Sequence, residues 1–504
     1  MAAVKVASED SLFVLAIAFV KAHVLLVALL AFTVRLLVKR FASPLRRIPG
    51  PALASVSRLW KVWSTYSGHT ELDHIALHKK YGPVVRTAPN EVSFASPNAA
   101  KDIFAVGKGF HKTMFYSHAP DIFTEVREWK HAQMKRYAVT PYSLAQMQKR
   151  SGPIESMIMD LMSHLDKYAV PSQRQCNLGN LLHYFAFDVL GEVAFSRRFG
   201  FLEQEVDIEG SIKNIDDVQW YDGIVGQIPE FDILLRNNPL RPYLPFWKPS
   251  PTTMTRIAVE ELDKRKQPDN SYDSAGIDLL AELLRAHEGN GDKFSVNDVF
   301  SIAHGAVFAG SDSTASTMQS FFYYVLNHPE VYANLVKEIN EAQKSGQLSS
   351  IVQYAEAQKL EYFQACLKEA MRIRPAVGLG IYRTIPPEGA WIDGQFFAGG
   401  TEVAVNGWVL HRDEAVFGQD AEVFRPQRWF ERDAKLMNSH MYQFGGGSHL
   451  CIGRNLALFE MNKVLIQILR EYDIKLVHPG RPLKYHSTFF VVQEGLEVTL
   501  QKRI

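Results

Sequence analysis

Along most of this chain apolar residues recur every three or four positions, the spacing of one helix face, and only short stretches alternate apolar with polar as strands do. The longest such pattern follows Ser295-Val296-Asn297-Asp298, a capping-box variant, and predicts a helix to about Leu326 that stops at Asn327-His328-Pro329. Phe185 to Phe195 predicts a second, buried helix. Tyr81 to Phe94, broken by Pro89-Asn90, predicts an early strand pair. Glycine and proline punctuate 386–400 and the tail after Pro479, predicting short strands and turns. Loops are expected at 250–251 and 267–274, and a polar connector at Glu288 to Lys293. The fold class that follows is mainly α with small β-sheets.

The N-terminus follows a different pattern. After a tail of residues 1–11, Leu12 to Val34 is apolar except for Lys21 and His23, and its 23 residues suffice to cross about 30 Å of hydrocarbon. A central lysine costs about 2.5–3.5 kcal/mol on insertion, which the many Leu, Val, Ile and Phe residues offset. Arg35, Lys39, Arg40, Arg46 and Arg47 follow, so the later chain is expected on the cytoplasmic side. The alternative is a cleaved signal peptide over Leu12 to Val20, but the apolar run resumes at Val24 without a small-residue cleavage site close behind. The expected organisation is a single-span anchor at 12–34, a basic, proline-rich linker at 35–51 ending in Ile48-Pro49-Gly50-Pro51, and one domain over 52–504.

Composition narrows the field. Hydrophobic residues make up 47% and charged residues 22% of the 504 residues, ample for a core, and a net charge of +1 argues against a nucleic-acid partner. The three cysteines, Cys176, Cys366 and Cys451, are sparse and far apart, which gives no disulfide framework and no Cys-x-x-Cys zinc site.

Cys451 differs from the other two in its surroundings. It follows Phe444-Gly445-Gly446-Gly447-Ser448-His449-Leu450 and opens an apolar, helix-like segment from Ile452 to Leu469. Glycines bring amide groups close to a neighbouring atom, and a helix start favours a thiolate over a thiol. On the loop alone, Cys451 is either a haem ligand or a buried structural thiol. The centre of the long helix is unusual in another way: Ala309-Gly310-Ser311-Asp312-Ser313-Thr314 sets glycine, a carboxylate and hydroxyls, all poor helix formers, among apolar neighbours. Glu369-Ala370-Met371-Arg372 places opposite charges on one helix face, which alone most often means a surface ion pair. Further on comes Phe424-Arg425-Pro426-Gln427-Arg428-Trp429.

Taken together and in this order, these segments resemble the cytochrome P-450 family. Phe444, Gly447, Cys451 and Gly453 fall in register with its haem-binding loop, with His449 where the family usually carries arginine. The resemblance covers nearly all of the chain after Pro49 and implies the P-450 fold. It implies haem b with Cys451 as axial thiolate. It also implies a helix kink beside the haem, where Asp312 and a hydroxyl, Ser313 or Thr314, relay protons to dioxygen. Glu369, Arg372 and Arg428 match the triad that braces the cysteine loop. His131, Lys135, His449 and Arg383 match positions that meet the haem propionates.

The chain has no Gly-x-Gly-x-x-Gly after a strand and no Gly-Lys-Ser/Thr phosphate loop, so no nucleotide site of its own is expected. The resemblance therefore implies electrons from an NADPH–cytochrome reductase in the same membrane, the endoplasmic reticulum. Lys130, Lys135, Arg136, Arg454 and Lys463 are candidates for its docking face. Phe115, Tyr116, Phe308, Val377, Leu379, Phe489 and Phe490 are candidate pocket residues, each equally able to be core, and suit a hydrophobic small molecule. Similarity to fungal members of the family points to a secondary metabolite. The function implied is a monooxygenase. Two alternatives stay open, a family isomerase or dehydratase working without reductase and a non-catalytic haem-binding sensor.

Overall fold

The computed structural model describes residue 14 and residues 17–19, 21–117, 121–169, 174–235, 238–240, 253–266 and 278–503. The tail, the expected loops at 250–251 and 267–274, and residues 12, 13, 15, 16 and 20 of the expected anchor lie outside them. Helices dominate, as the periodicity requires. Those that position the site are α1 (Val24–Phe41), α2 (Glu128–Ala138), α3 (Leu178–Phe195), α4 (Ser211–Val225), α5 (Val296–Asn327), α6 (Glu361–Ile373) and α7 (Arg454–Glu471).

α5 starts where the capping box placed it. The Asp298 amide donates to Ser295 Oγ (3.2 Å) and the Ser295 amide to Asp298 Oδ2 (2.9 Å), which satisfies two of the donors a helix start leaves orphaned. It ends at Asn327, before Pro329, and its helical state is unbroken through 309–314. α3 packs along α5, and α6 and α7 pack on its other sides. Around them Val307, Phe321, Phe322, Leu190 and Phe185 share one hydrophobic core with Leu465 and Ile468 of α7.

The strand elements are small. β1 (Val84–Ala88) and β2 (Glu91–Phe94) form the expected antiparallel pair on either side of Pro89-Asn90. With β3 (His111–Lys112), β5 (Ile381–Thr384) and β8 (Glu402–Val405) they make a five-stranded sheet in the order β1-β2-β8-β5-β3, parallel only between β2 and β8. β4 (Gln175–Asn177), β12 (Glu497–Lys502) and β9 (Tyr472–Leu476) form a second sheet, and β6 (Ala390–Ile392) with β7 (Gln395–Phe397) a hairpin. A last hairpin, β10 (Lys484–Ser487) and β11 (Val491–Glu494), carries the turn 488–490.

Among the described residues no helix is long and apolar enough to cross a membrane. α1 overlaps the second half of the expected anchor but shifts toward the linker, so Arg35, Lys39 and Arg40 fall inside it. Its apolar side chains Leu26, Leu29, Leu30, Phe32 and Val34 are exposed.

Candidate functional site

The site is built around Cys451. Its amide donates to the Phe444 carbonyl (2.9 Å), closing the loop, and Gly453 caps α7 two residues on. The amides of Gly453 and Arg454 point at the sulfur. Cys176 and Cys366 are buried, whereas the Cys451 side chain is accessible. Burial nonetheless pushes its thiol up, and the two amides with the nearby Lys135 ammonium act in the opposite direction. Gly447, at φ +58°, is required sterically, since a Cβ there would lie 2.0 Å from the Phe104 carbonyl oxygen. Lys135, which the resemblance set at the propionates, also binds the loop itself. Its ammonium donates to the Ser448 and Leu450 carbonyls (2.7 and 2.8 Å), fastening α2 to the cysteine loop.

Behind the loop lies the brace. Glu369, Arg372 and Arg428 are fully buried, so the surface reading of Glu-x-x-Arg does not hold. Arg372 grips Glu369 bidentately (2.9 and 2.8 Å), and Glu369 also accepts from Arg428 Nε (2.8 Å), Trp429 Nε1 (3.0 Å) and the Arg425 amide (2.9 Å). The remaining guanidinium donors reach the carbonyls of His411, Ala421, Val423 and Asp420. His411 carries the brace to the loop, and no motif marked it. Its Nδ1 faces the Arg372 carbonyl (3.0 Å) and its Nε2 takes the Tyr442 amide (2.8 Å), two residues before Phe444. A carbonyl only accepts and an amide only donates, so the ring is neutral with the proton on Nδ1. Burial pushes its pKa down to about 3, in agreement.

A cluster of basic side chains lies to one side. Lys112 on β3 stands directly opposite Arg383 on β5 in the strand register. Like charges across a strand pair are unfavourable unless an anion joins them. Lys112 is buried, and desolvation together with Arg383 pushes its pKa down to about 7. The His131 and His449 rings stack at 4.2 Å, and His449 Nε2 lies 3.1 Å from Glu128 Oε2. Burial and then the charges of Lys112 and His449 hold His131 at about 3, while burial also lowers His449. His449 Nδ1 and Glu128 Oε1 are buried without a partner. Glu128, His131 and His449 could together ligate a cation, but Lys112 and Arg383 beside them disfavour one. The donor set instead fits the two carboxylates of a haem, with an accessible sulfur and close-packed glycine loop beside it. The sequence reading missed Lys112 and Glu128, which carry no motif and whose value comes from strand pairing and from a contact to residue 449.

In the middle of α5 the hydroxyl candidates separate. Ala309 is exposed between the half-buried Phe308 and Gly310, and Ser313, one turn on, is half-buried and donates to the Ala309 carbonyl (2.8 Å). Thr314 is buried. Asp312 turns to a different side. Its Oδ1 meets His183 Nε2 of α3 (2.8 Å) and its Oδ2 accepts from Gln219 Nε2 of α4 (2.6 Å).

Of the candidate pocket residues, Phe115, Tyr116 and Leu379 share one cluster with Tyr382, and Phe489 packs against it. Phe489 stacks edge-on to Phe490 (5.0 Å), and Phe490 bridges to Val377. Phe308 sits apart, on the large core. The docking face loses two members. The Lys463 side chain is buried, with Nζ on Glu155 (2.6 Å) and Ser151 (2.8 Å), because α7 runs through the core rather than over it. Lys130 is paired with Asp298 (2.6 Å). Arg136 and Arg454 remain exposed.

Comparison with known proteins agrees with this geometry. The family model for cytochrome P-450 matches residues 49–500. The chain is 34% identical over 475 residues to cytochrome P-450 monooxygenase cicH of Emericella nidulans, covering 91% of this chain and 94% of the relative. It is 31% identical over 462 residues to a pisatin demethylase of Fusarium vanettenii (90% and 88%), and 30% over 487 residues to cytochrome P-450 monooxygenase gsfF of Penicillium aethiopicum (92% and 95%). The matched region opens at the proline-rich linker and takes in the cysteine loop, the brace and the centre of α5. The chain therefore belongs to the cytochrome P-450 family, the haem-thiolate monooxygenases.

Proposed function

We propose that this protein is a membrane-anchored monooxygenase that inserts one oxygen atom of O2 into a hydrophobic small molecule, a secondary metabolite, with electrons from an NADPH–cytochrome reductase. The observation that carries the reading is the accessible sulfur of Cys451 at the start of a buried helix, with two amides aimed at it. Bound there, haem supplies the activation of oxygen, strengthened by electron donation from the thiolate.

The chain's own residues do the rest. Arg383, His131 and His449 would hold the propionates, with Lys112 adding its charge from beside them while its ammonium donates to the carbonyls of Ile122, Phe123 and Glu125. Phe444, Gly447 and Gly453 shape the loop around the sulfur, and Lys135 steadies it. Ser313 supplies a hydroxyl proton by rotating it from the Ala309 carbonyl toward the cavity, and Asp312 replenishes it through water. Ser313 is favoured over Thr314 because its hydroxyl is on the accessible side of α5. Phe115, Tyr116, Leu379, Phe489 and Phe490 exclude water and orient the substrate, with Val377 behind them and Phe308 on α5.

Residues 12–34 serve as the anchor, with the body on the cytoplasmic face of the endoplasmic reticulum. The support is the apolar run, the basic residues after it and the exposed apolar face of α1. Arg136 and Arg454 offer the positive contacts for the reductase. The test is NADPH consumption by the full-length protein with purified reductase across a panel of hydrophobic metabolites. Substrate-dependent consumption with a product one oxygen heavier is expected. Turnover of a peroxide substrate without reductase would assign the isomerase or dehydratase class instead. Removal of residues 1–39 is expected to release the body from membranes, and a truncated protein still resisting alkaline extraction would contradict the anchor.

A further inference from the structure

Gln219 lies on α4, outside every motif, yet it joins two parts of the site. Its Oε1 accepts from the Phe490 amide (3.1 Å) and its Nε2 donates to Asp312 Oδ2 (2.6 Å). An amide N–H only donates and a carboxylate only accepts, so the orientation of the side-chain amide is forced. The Gln219, Asp312 and Phe490 side chains are all buried, so neither bond competes with bulk water. One turn further along α4, Gly223 lets the helix lie against the same segment, since a Cβ there would sit 2.5 Å from the Thr488 carbonyl oxygen. The turn 488–490 therefore rests on α4 at two points. Its other face bears Phe489, which stacks on Phe123 (5.4 Å) and packs with Phe115 and Leu379. The far oxygen of Asp312 is held by His183.

We propose that Gln219 is a positioning residue that couples occupancy of the substrate cavity to the freedom of the Asp312 carboxylate. The inference rests on the monooxygenase reading above. With the cavity empty, Gln219 is anchored by Phe490 and keeps Asp312 turned toward His183. A ligand large enough to shift the 488–490 turn off α4, against its backbone bonds to 376–378 (Gly378 amide to the Phe489 carbonyl, 2.9 Å; Val491 amide to the Ala376 carbonyl, 2.8 Å), withdraws the Phe490 N–H from Gln219 Oε1. The amide is then free to rotate, its bond to Asp312 Oδ2 loosens, and the carboxylate can turn toward Ser313. Protons are then delivered when a substrate is present to receive the oxygen. Coupling of this kind is reciprocal, so whatever frees Asp312 on ligand binding must also tax the binding of that ligand.

The test uses the haem-loaded full chain and two probes that shift its absorption spectrum on binding, imidazole, which is small, and clotrimazole, which is bulky. Both are titrated into the native protein and into Gln219→Leu, Asp312→Asn and the double variant. Leucine cannot accept from Phe490, so a bulky ligand no longer breaks a hydrogen bond. One neutral bond converts to a clotrimazole Kd about 2–10-fold tighter in Gln219→Leu, with the imidazole Kd unchanged. The double variant is expected to gain no more than Gln219→Leu alone, an interaction a merely structural role would not produce. An unchanged clotrimazole-to-imidazole ratio, or gains that simply add, would overturn the latch. Absence of any azole-induced shift in the native protein would overturn the haem reading and the latch with it. If Gln219→Leu loads no haem, Gln219→Ala carries the same expectation.

Discussion

Behind the sulfur, Glu369 accepts five hydrogen bonds from three side chains and a backbone amide, and His411 passes that order on to Tyr442. Around Asp312 the arrangement is sparser. The carboxylate meets one imidazole and one side-chain amide, and that amide is tied to a turn between two short strands. The first region is over-determined, and removing the Glu369 carboxylate strands the buried Arg372 guanidinium. The second is held by two bonds, one of which we propose a ligand exchanges. The contrast fits the duties proposed for them, since a metal ligand must stay fixed while proton delivery must respond to what enters the cavity.

The largest way to break this comparison is Glu369→Ala. It leaves Arg372 buried and unpaired and Arg428 with Asp420 alone, at about 3–5 kcal/mol, and is expected to abolish haem loading, read by urea unfolding and by the haem-to-protein absorbance ratio. A loss below about 1 kcal/mol would put the brace on a par with a surface pair.

His411 offers a pH test of the same region. Its folded-state pKa, pushed down by burial to about 3, lies below the unfolded value of about 6.5. The unfolded chain therefore binds the extra proton first as pH falls. Stability from this group is complete above about pH 6.5 and is lost toward about pH 3, at up to about 1.4 kcal/mol per pH unit. Gln at 411 keeps one donor and one acceptor but does not titrate, so urea midpoints of His411→Gln should fall less steeply between neutral and acid pH. Parallel slopes for the two proteins would remove His411 from the brace.

The distal region is sharpened by a pair of hydroxyl variants. Ser313→Ala is expected to raise peroxide formed per NADPH about tenfold or more with reductase present, with haem loading intact. Thr314→Val, at a buried position, is expected to leave that ratio alone. The reverse pattern would transfer the role to Thr314. The smallest effect concerns the reductase. With only Arg136 and Arg454 exposed among the proposed contacts, charge reversal of Arg454 should slow first-electron transfer a fewfold at low salt and hardly at high salt.

The same contrast explains what could be read in advance. The cysteine loop, the capped long helix and Glu-x-x-Arg are local, because glycine geometry, helix caps and a three-residue spacing are written into consecutive residues. The β1–β2 pair announced itself through Pro89-Asn90 in the same way. Lys112, His411 and Gln219 carry no such mark. Lys112 matters because strand pairing sets it against Arg383, 271 residues away, and Gln219 because it reaches Phe490 at the same separation. Lys463 failed for the opposite reason, since a lysine in an apolar helix looks solvated until a buried partner such as Glu155 is known.

The most direct test of the account is the absorption spectrum of the purified, reduced protein under carbon monoxide, alone and as Cys451→Ala. A long-wavelength band typical of a thiolate ligand in the native protein, gone in the variant, is the result expected. A native spectrum typical of a nitrogen ligand, or one the substitution leaves intact, would contradict the claim that this sulfur holds the iron.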